Sequence, residues 1–144
     1  MRIATWNVNS IRQRLDHLQA WLKEREPDIV CLQEIKCVDD AFPRETFERL
    51  GYNVAVHGQK TFNGVALLSK RPIEDVTPRL HGDDADDHAR YLEALVTGDK
   101  GVVRVASIYA PNGNPWPGPK FDYKLAWLER LRLHAKKLLK SEEP

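Results

Sequence analysis

Apolar residues along this chain fall into two periods. Ile11, Leu15, Leu18 and Leu22 recur at helical spacing and Trp21 widens their face, which predicts a helix closed by Pro27. Ser10 is placed to cap that helix, and Gln13, three residues on, completes a capping box. Compact apolar runs flank it. Arg2-Ile3-Ala4-Thr5-Trp6 comes before, and Asp28-Ile29-Val30-Cys31-Leu32 comes after. The second run has four consecutive apolar residues and predicts a strand covered on both faces. A strand–helix–strand unit of this size predicts a parallel pair.

Further along, residues 43–50 form a short helix, opened by Pro43 and stopped by Gly51. Tyr52, Val54 and Val56 alternate with Asn53, Ala55 and His57, the pattern of a half-buried strand. Residues 58–64 are a loop, residues 65–69 an apolar strand, and residues 73–78 another short strand after the Arg71-Pro72 turn. Residues 91–97 and 102–109 pair as a hairpin across Gly98-Asp99-Lys100-Gly101. Residues 110–120 hold four prolines and two glycines, so they form a loop whose place after a strand suits function. Residues 121–140 are the longest helix, with Leu125, Leu128, Leu131, Ala135 and Leu138 expected on its buried face. The order is mixed α/β in a single domain, without repeats or low-complexity segments.

Composition narrows this modestly. With 42% apolar and 30% charged residues the 144-residue chain is globular, not disordered. A formal charge of +1 argues neither for nor against nucleic acid. A DNA-facing surface would need local clustering of Arg12, Arg14, Lys36, Lys60, Lys70, Arg71 and Arg90, which taken singly are ordinary solubilising charges. The two cysteines, Cys31 and Cys37, lack zinc-motif spacing and are too few for a disulfide framework. Met1-Arg2-Ile3 enters a strand directly, without a signal peptide, and no apolar run approaches the roughly 20 residues of a membrane span. The default expectation is a reduced, cytoplasmic protein with no membrane partner.

The junction of Leu32 with Gln33-Glu34-Ile35-Lys36 carries the most chemical information. A carboxylate at the end of a buried strand is expensive unless a cation meets it. A divalent metal would serve, because hard cations take oxygen ligands. An ion pair with Lys36 or an arginine would serve equally. Asn7 ends the first strand as Glu34 ends the second, so one rim could hold both. Its amide can ligate a metal or touch a phosphate oxygen, or merely stabilise a turn. Tyr109 ends an apolar strand, where its hydroxyl could bond a phosphate oxygen or its ring could cap the core. The acidic run Asp83-Asp84-Ala85-Asp86-Asp87 lacks the spacing, turn glycine and closing glutamate of a calcium loop and reads as a solvated loop. His17, His57, His81, His88 and His134 show no ligand spacing.

Five stretches in order carry a resemblance: residues 5–12 (Thr-Trp-Asn-Val-Asn-Ser-Ile-Arg), 31–36 (Cys-Leu-Gln-Glu-Ile-Lys), 51–54 (Gly-Tyr-Asn-Val), 63–69 (Asn-Gly-Val-Ala-Leu-Leu-Ser) and 107–113 (Ser-Ile-Tyr-Ala-Pro-Asn-Gly). Together they resemble the N-terminal half of exonuclease III type enzymes, in the endonuclease/exonuclease/phosphatase superfamily. The resemblance implies an α/β fold, the N-terminal half of a four-layer αββα sandwich of two packed mixed sheets flanked by helices. On that basis this chain is expected to supply one sheet and its covering helices, with the partner sheet coming mainly from a missing half. The family's Gly-Asp-x-Asn motif and its Asp-His pair do not occur here, so the chain is expected to be truncated and deficient in activity.

The resemblance further implies Mg²⁺, with Mn²⁺ as the alternative, held by Glu34 with help from Asn7. Tyr109 becomes the active-site tyrosine. Asn9 and Lys36 support the strand-end network. Phe62, in the Lys60–Gly64 loop, and Arg90 and Asn112 become substrate contacts. For Phe62 packing on its own domain, for Arg90 neutralisation of Asp86 or Asp87, and for Asn112 a turn role remain open. The implied activity is 3′-to-5′ exonuclease and abasic-site endonuclease action on double-stranded DNA, by a protein monomeric when complete. The alternatives are a non-catalytic DNA-binding or structural fragment, and a phosphatase or phosphodiesterase of the same superfamily.

Overall fold

A computed structural model describes residues 1–141. Seven strands and three α-helices follow in the order β1 (Ile3–Asn7), α1 (Ile11–Arg25), β2 (Ile29–Gln33), α2 (Arg44–Glu48), β3 (Asn53–His57), β4 (Val65–Ser69), β5 (Ile73–Pro78), β6 (Tyr91–Gly98), β7 (Gly101–Ile108) and α3 (Pro119–Lys140). They make a four-stranded sheet ordered β1-β2-β4-β3 and a three-stranded sheet ordered β5-β6-β7. β1 and β2 are parallel, as the strand–helix–strand pattern predicts, with Asn7 opposite Gln33. The other pairs are antiparallel.

Alternation along the strands sorts side chains into layers. Ile29, Cys31, Ala55, Val65 and Leu67 of the first sheet meet Leu92, Ala94, Val96 and Val105 of the second in one buried core. On the other face of the first sheet, Val30, Leu32, Ala66 and Leu68 are covered by Ile11, Leu18 and Leu22 of α1 and Phe47 of α2. On the far side of the second sheet, Tyr91 packs with Leu80 and with Trp127 of α3. The layers run helix, sheet, sheet, helix. β2 and β4 are buried at every position, which explains why their sequences are apolar without a period.

Two expectations are corrected here. A partner sheet is already present within the chain: β5, β6 and β7 form it and pack on the inner face of the first sheet. Nor does α3 bury its leucine stripe. Leu125 is 52% exposed and Leu128 38%, whereas Trp127 is 1% and His134 9%. The reason lies in the surface that α3 covers. The outer face of β6 and β7 presents Tyr91, Glu93 and Arg104, and a buried carboxylate requires polar partners. His134 Nε2 bonds Glu93, Arg104 Nη1 reaches the same carboxylate at 2.7 Å, and the Tyr91 hydroxyl donates to it at 3.0 Å. A smaller difference concerns Ser10. It accepts from Gln13 N at 3.4 Å, but its own N–H donates to the Glu34 carbonyl at 2.8 Å, so only half the capping box forms.

This network makes acid stability a measurable trait. Burial pushes the Glu93 carboxyl up, but hydrogen bonds from His134, Arg104 and Tyr91 outweigh burial and hold it below its ordinary value. A carboxyl depressed in the fold contributes fully above its unfolded value, about 4.3, and loses that contribution as pH falls through the folded value. Glu93→Gln should therefore lower the urea midpoint at pH 7 and lower it much less near pH 3. Equal gaps between the two proteins at both pH values would contradict this account.

Candidate active site

The C-terminal ends of β1 and β2 are welded together beyond their ladder. Val8 N bonds the Gln33 carbonyl at 3.0 Å, Ser10 N the Glu34 carbonyl at 2.8 Å, and Ile11 N the Ile35 carbonyl at 3.2 Å. From the other side, Ile35 N bonds the Gly64 carbonyl at 3.2 Å and Lys36 N the Asn63 carbonyl at 3.0 Å. Glu34 therefore sits in a turn clamped by two segments. The clamp requires left-handed backbone: φ is 54° at Glu34, 56° at Lys36, 43° at Asn9, 84° at Ser10 and 56° at Asn63. Each such non-glycine residue costs about 1–2 kcal/mol. Strain gathered on one rim marks a place where geometry is held for a purpose other than stability.

Side chains converge on that rim. The Lys36 ammonium donates to Asn9 Oδ1 at 2.5 Å and lies 3.9 Å from Glu34 Oε1. Asn7 Oδ1 accepts the Asn9 N–H at 3.1 Å. The Tyr109 hydroxyl lies against the Glu34 carboxylate; burial, then the proximity of the Glu34 charge, raise its pKa. The Arg90 guanidinium lies 5.0 Å from the centre of the Tyr109 ring and donates to the Tyr109 carbonyl at 3.3 Å. Five of the eight expected site residues, Asn7, Asn9, Glu34, Lys36 and Tyr109, thus form one connected group, with Arg90 joined through Tyr109.

A cleft of about 510 Å³ opens beside this group, with Phe62, Arg90, Tyr109, Asn112, Lys120 and Tyr123 among its lining residues. Phe62 is 66% exposed, so it projects from its loop instead of folding onto the domain. Asn112 is exposed, and its Oδ1 accepts from Asn114 N at 2.7 Å, a turn contact that leaves its amide nitrogen toward the cleft side chains unspent. Arg90 does not neutralise the acidic loop. Arg130 Nη2 takes Asp86 at 2.5 Å and the Tyr123 hydroxyl takes the same oxygen at 2.7 Å. Asp86, Asp87 and His88 bring ligand atoms within 4.8 Å of one another, but Asp86 is already spoken for by that cation.

Several residues of the site escaped the sequence pattern. Gln33 is buried and bonds Thr5 and Ser107. Gln59 Oε1 accepts both from Asn63 Nδ2 at 3.0 Å and from Ala89 N at 2.9 Å, tying the loop before β4 to the segment entering β6. His88, Lys120 and Tyr123 line the cleft. A polar amide closing an apolar strand was the available signal for Gln33; the others come from distant segments and left none.

The donor set on the rim suits a small hard cation. Asn7 and Glu34 offer amide and carboxylate oxygens from adjacent strands, and no sulfur or imidazole is bonded to them among the described residues. Mg²⁺ takes few protein ligands and keeps several waters, so two such donors fit it.

Comparison with known proteins agrees with this geometry. The model of the Endonuclease/Exonuclease/phosphatase family matches residues 4–144. Exodeoxyribonuclease III of Haemophilus influenzae is 38% identical over 113 residues, which are 78% of this chain and 42% of that protein. An AP endonuclease from Archaeoglobus fulgidus superposes with a TM-score of 0.88 at 42% identity, covering 95% of this chain and 51% of that one. The 3′ phosphatase NExo from Neisseria, solved bound to product DNA hairpin, gives a TM-score of 0.92 at 38% identity, covering 97% and 53%. The chain spans about half the length of the relatives it matches. Two facing sheets, outer helices, a strained rim bearing Asn7 and Glu34, and a family match over nearly its whole length make this chain a member of the Endonuclease/Exonuclease/phosphatase family.

Proposed function

We propose that this chain belongs to a metal-dependent DNA-repair nuclease that hydrolyses phosphodiesters, removing nucleotides 3′-to-5′ and cutting beside abasic sites. The observation that carries the proposal is the convergence of Asn7, Glu34 and Tyr109 on one strained rim beside an open cleft. The names of two relatives, exodeoxyribonuclease III and AP endonuclease, support the substrate class. Glu34 and Asn7 would hold Mg²⁺, or Mn²⁺ in its place, and Lys36 fixes Glu34 and Asn9 relative to each other. When bound, the ion neutralises phosphate charge and the leaving oxygen. Tyr109, beside Glu34, donates its hydroxyl to a phosphate oxygen as charge develops there. Arg90 holds the tyrosine and adds positive charge on the phosphate side of the cleft. Phe62 and Asn112 face the DNA, Phe62 as an exposed surface for a sugar or base.

Among the described residues no helix is long and apolar enough to cross a membrane, and a cytoplasmic, monomeric protein acting on duplex DNA is the proposal we make. A second activity has its own support: a relative of 38% identity is named a 3′ phosphatase, so a terminal phosphate on DNA is a fitting alternative substrate. The test is a comparison of three substrates with Mg²⁺: an abasic-site duplex, a duplex with a 3′ phosphate, and an inositol phosphate. Preference for either DNA supports the proposal, the first favouring the nuclease. Preference for the inositol phosphate would overturn it.

Tyr109→Phe gives a finer check. The change keeps the ring and its contact with Arg90, and removes one donor. Turnover should fall by about 10²–10³-fold, the usual loss for such a donor, with DNA affinity little altered. Wild-type turnover combined with a lower thermal midpoint would make Tyr109 a packing residue only.

A further inference from the structure

One step beneath the rim lies a buried hydrogen-bonded triad. Gln33 Nε2 donates to Thr5 Oγ1 at 2.9 Å and to Ser107 Oγ at 3.1 Å. The Ser107 hydroxyl passes its own proton to the Leu32 carbonyl at 2.8 Å. Gln33 is 8% exposed and Ser107 fully buried. The three residues belong to β1, β2 and β7, and β7 is in the other sheet. Thr5 stands two residues before Asn7, Gln33 one before Glu34, and Ser107 two before Tyr109. Each strand therefore gives one residue to the triad and, just beyond it, one residue to the rim.

We propose that Gln33 is the positioning residue of the site: its amide pins β7 of one sheet to β1 and β2 of the other, and so brings Tyr109 onto Glu34 and Asn7. The inference rests on the proposed nuclease activity only for its kinetic consequence.

Three features argue for this role over simple packing. The inner faces of the two sheets are otherwise joined by apolar side chains, which resist separation but allow sliding by a fraction of an ångström. A hydrogen bond restores direction, because it weakens steeply as geometry departs from linear. The polar group also sits where an apolar residue would cost nothing in burial, so its retention needs a reason. Both N–H groups of the Gln33 amide are spent, one toward each sheet, and no other uncharged side chain of this length offers two donors at that point. Finally, Glu34 adopts φ 54° directly after Gln33, so any rotation of Gln33 is passed to Glu34 through the shared peptide.

The experiment compares wild type with Gln33→Met, which keeps length and removes both donors, and with Thr5→Val, Thr5→Ser and Ser107→Ala. Two readouts are taken on each. The first needs neither metal nor DNA: the nuclear Overhauser contact between the Tyr109 ring and the Glu34 side chain, with amide exchange in β1, β2 and β4 as a check that the sheet is intact. The second is abasic-site nicking with Mg²⁺, resolved into kcat and KM. Gln33→Met should lose the Tyr109–Glu34 contact while the sheet stays protected, and its kcat should fall by about 10²-fold with KM within about twofold, the scale expected for a displacement of about 1 Å. Thr5→Val and Ser107→Ala should each show part of this loss, and Thr5→Ser, which restores the hydroxyl, should recover it. A Gln33→Met protein that keeps the contact and its kcat overturns the proposal, and so does one that merely unfolds at lower denaturant with both retained. If Gln33→Met does not fold, the Thr5 pair and Ser107→Ala decide by the same criteria. Should the complete wild-type protein fail to nick DNA, the nuclease reading fails, and the Tyr109–Glu34 contact still decides the positioning role.

Discussion

Glu34→Gln in the complete protein should abolish Mg²⁺-dependent cleavage while leaving the fold in place. The substitution keeps side-chain size and the position beside Tyr109, and removes the negative charge of Glu34. An amide is a poorer partner for a hard cation than a carboxylate. Charge stabilisation of this kind supplies several kcal/mol to a phosphoryl transition state, which at about 1.4 kcal/mol per decade is about 10²–10³-fold in rate. Lys36, 3.9 Å from Glu34 in the wild type, would lose its counter-charge and keep Asn9 as its partner. The measurement is nicking of an abasic-site duplex across a Mg²⁺ titration, with urea unfolding alongside. A variant with the wild-type titration curve would remove Glu34 from the metal site. A variant that has lost its cooperative unfolding would show that the loss of activity was structural.

Gly64→Ala should damage stability and activity severely for a change of one methyl group. Gly64 has φ +90°, and a Cβ built there lies 2.5 Å from Ile35 Cγ1 and 3.5 Å from Lys36 N. Two penalties add. The left-handed conformation costs a non-glycine residue about 1–2 kcal/mol. Relief of the clash would push Ile35, which is fully buried, away from the outer core, at about 1–3 kcal/mol for such overpacking. The two sum to about 2–5 kcal/mol. Moreover, Ile35 N bonds the Gly64 carbonyl and Ile11 N bonds the Ile35 carbonyl, so displacement reaches the start of α1 as well as the Glu34 turn. Stability and activity should fall together. Urea midpoints and nicking rates measure both, and Gly51→Ala is the control, since Gly51 has φ +90° with nothing near its added Cβ and should lose only the conformational part.

That Asn7 and Glu34 stand at the ends of neighbouring strands was open to inspection in the sequence because it rests on local chemistry. An apolar strand too uniform to face water must be buried, and a carboxylate at its end demands a cation. α1 was legible for a similar reason: its face of Ile11, Leu18 and Leu22 packs on an apolar sheet, so helical periodicity and burial coincide. The hairpin of β6 and β7 followed from turn residues, although the ladder closes one step tighter than expected, with Gly98 paired to Gly101 around Asp99 and Lys100.

Where burial depends on a distant partner, the pattern along the chain misleads. α3 was given a leucine face because leucines recur there at the right spacing, yet the sheet beneath it offers Glu93 and Arg104, and the helix turns Trp127 and His134 to meet them. The second sheet was assigned to another part of the protein because β5 to β7 look alike whether they cover a neighbour or wait for one. Their contact with β2 and β4 is decided by apolar side chains far apart in sequence. Phe62 could have packed either way, and Arg90 could have answered a phosphate or Asp86 or Asp87; Phe62 stands exposed, and Asp86 is met instead by Arg130. The amino-acid sequence by itself determined which residues stand at the ends of β1, β2 and β7, since strand formation and chain direction are local. That these three ends meet was decided only by tertiary structure, through two sheets pressed face to face and a Gln33 amide that bonds across them.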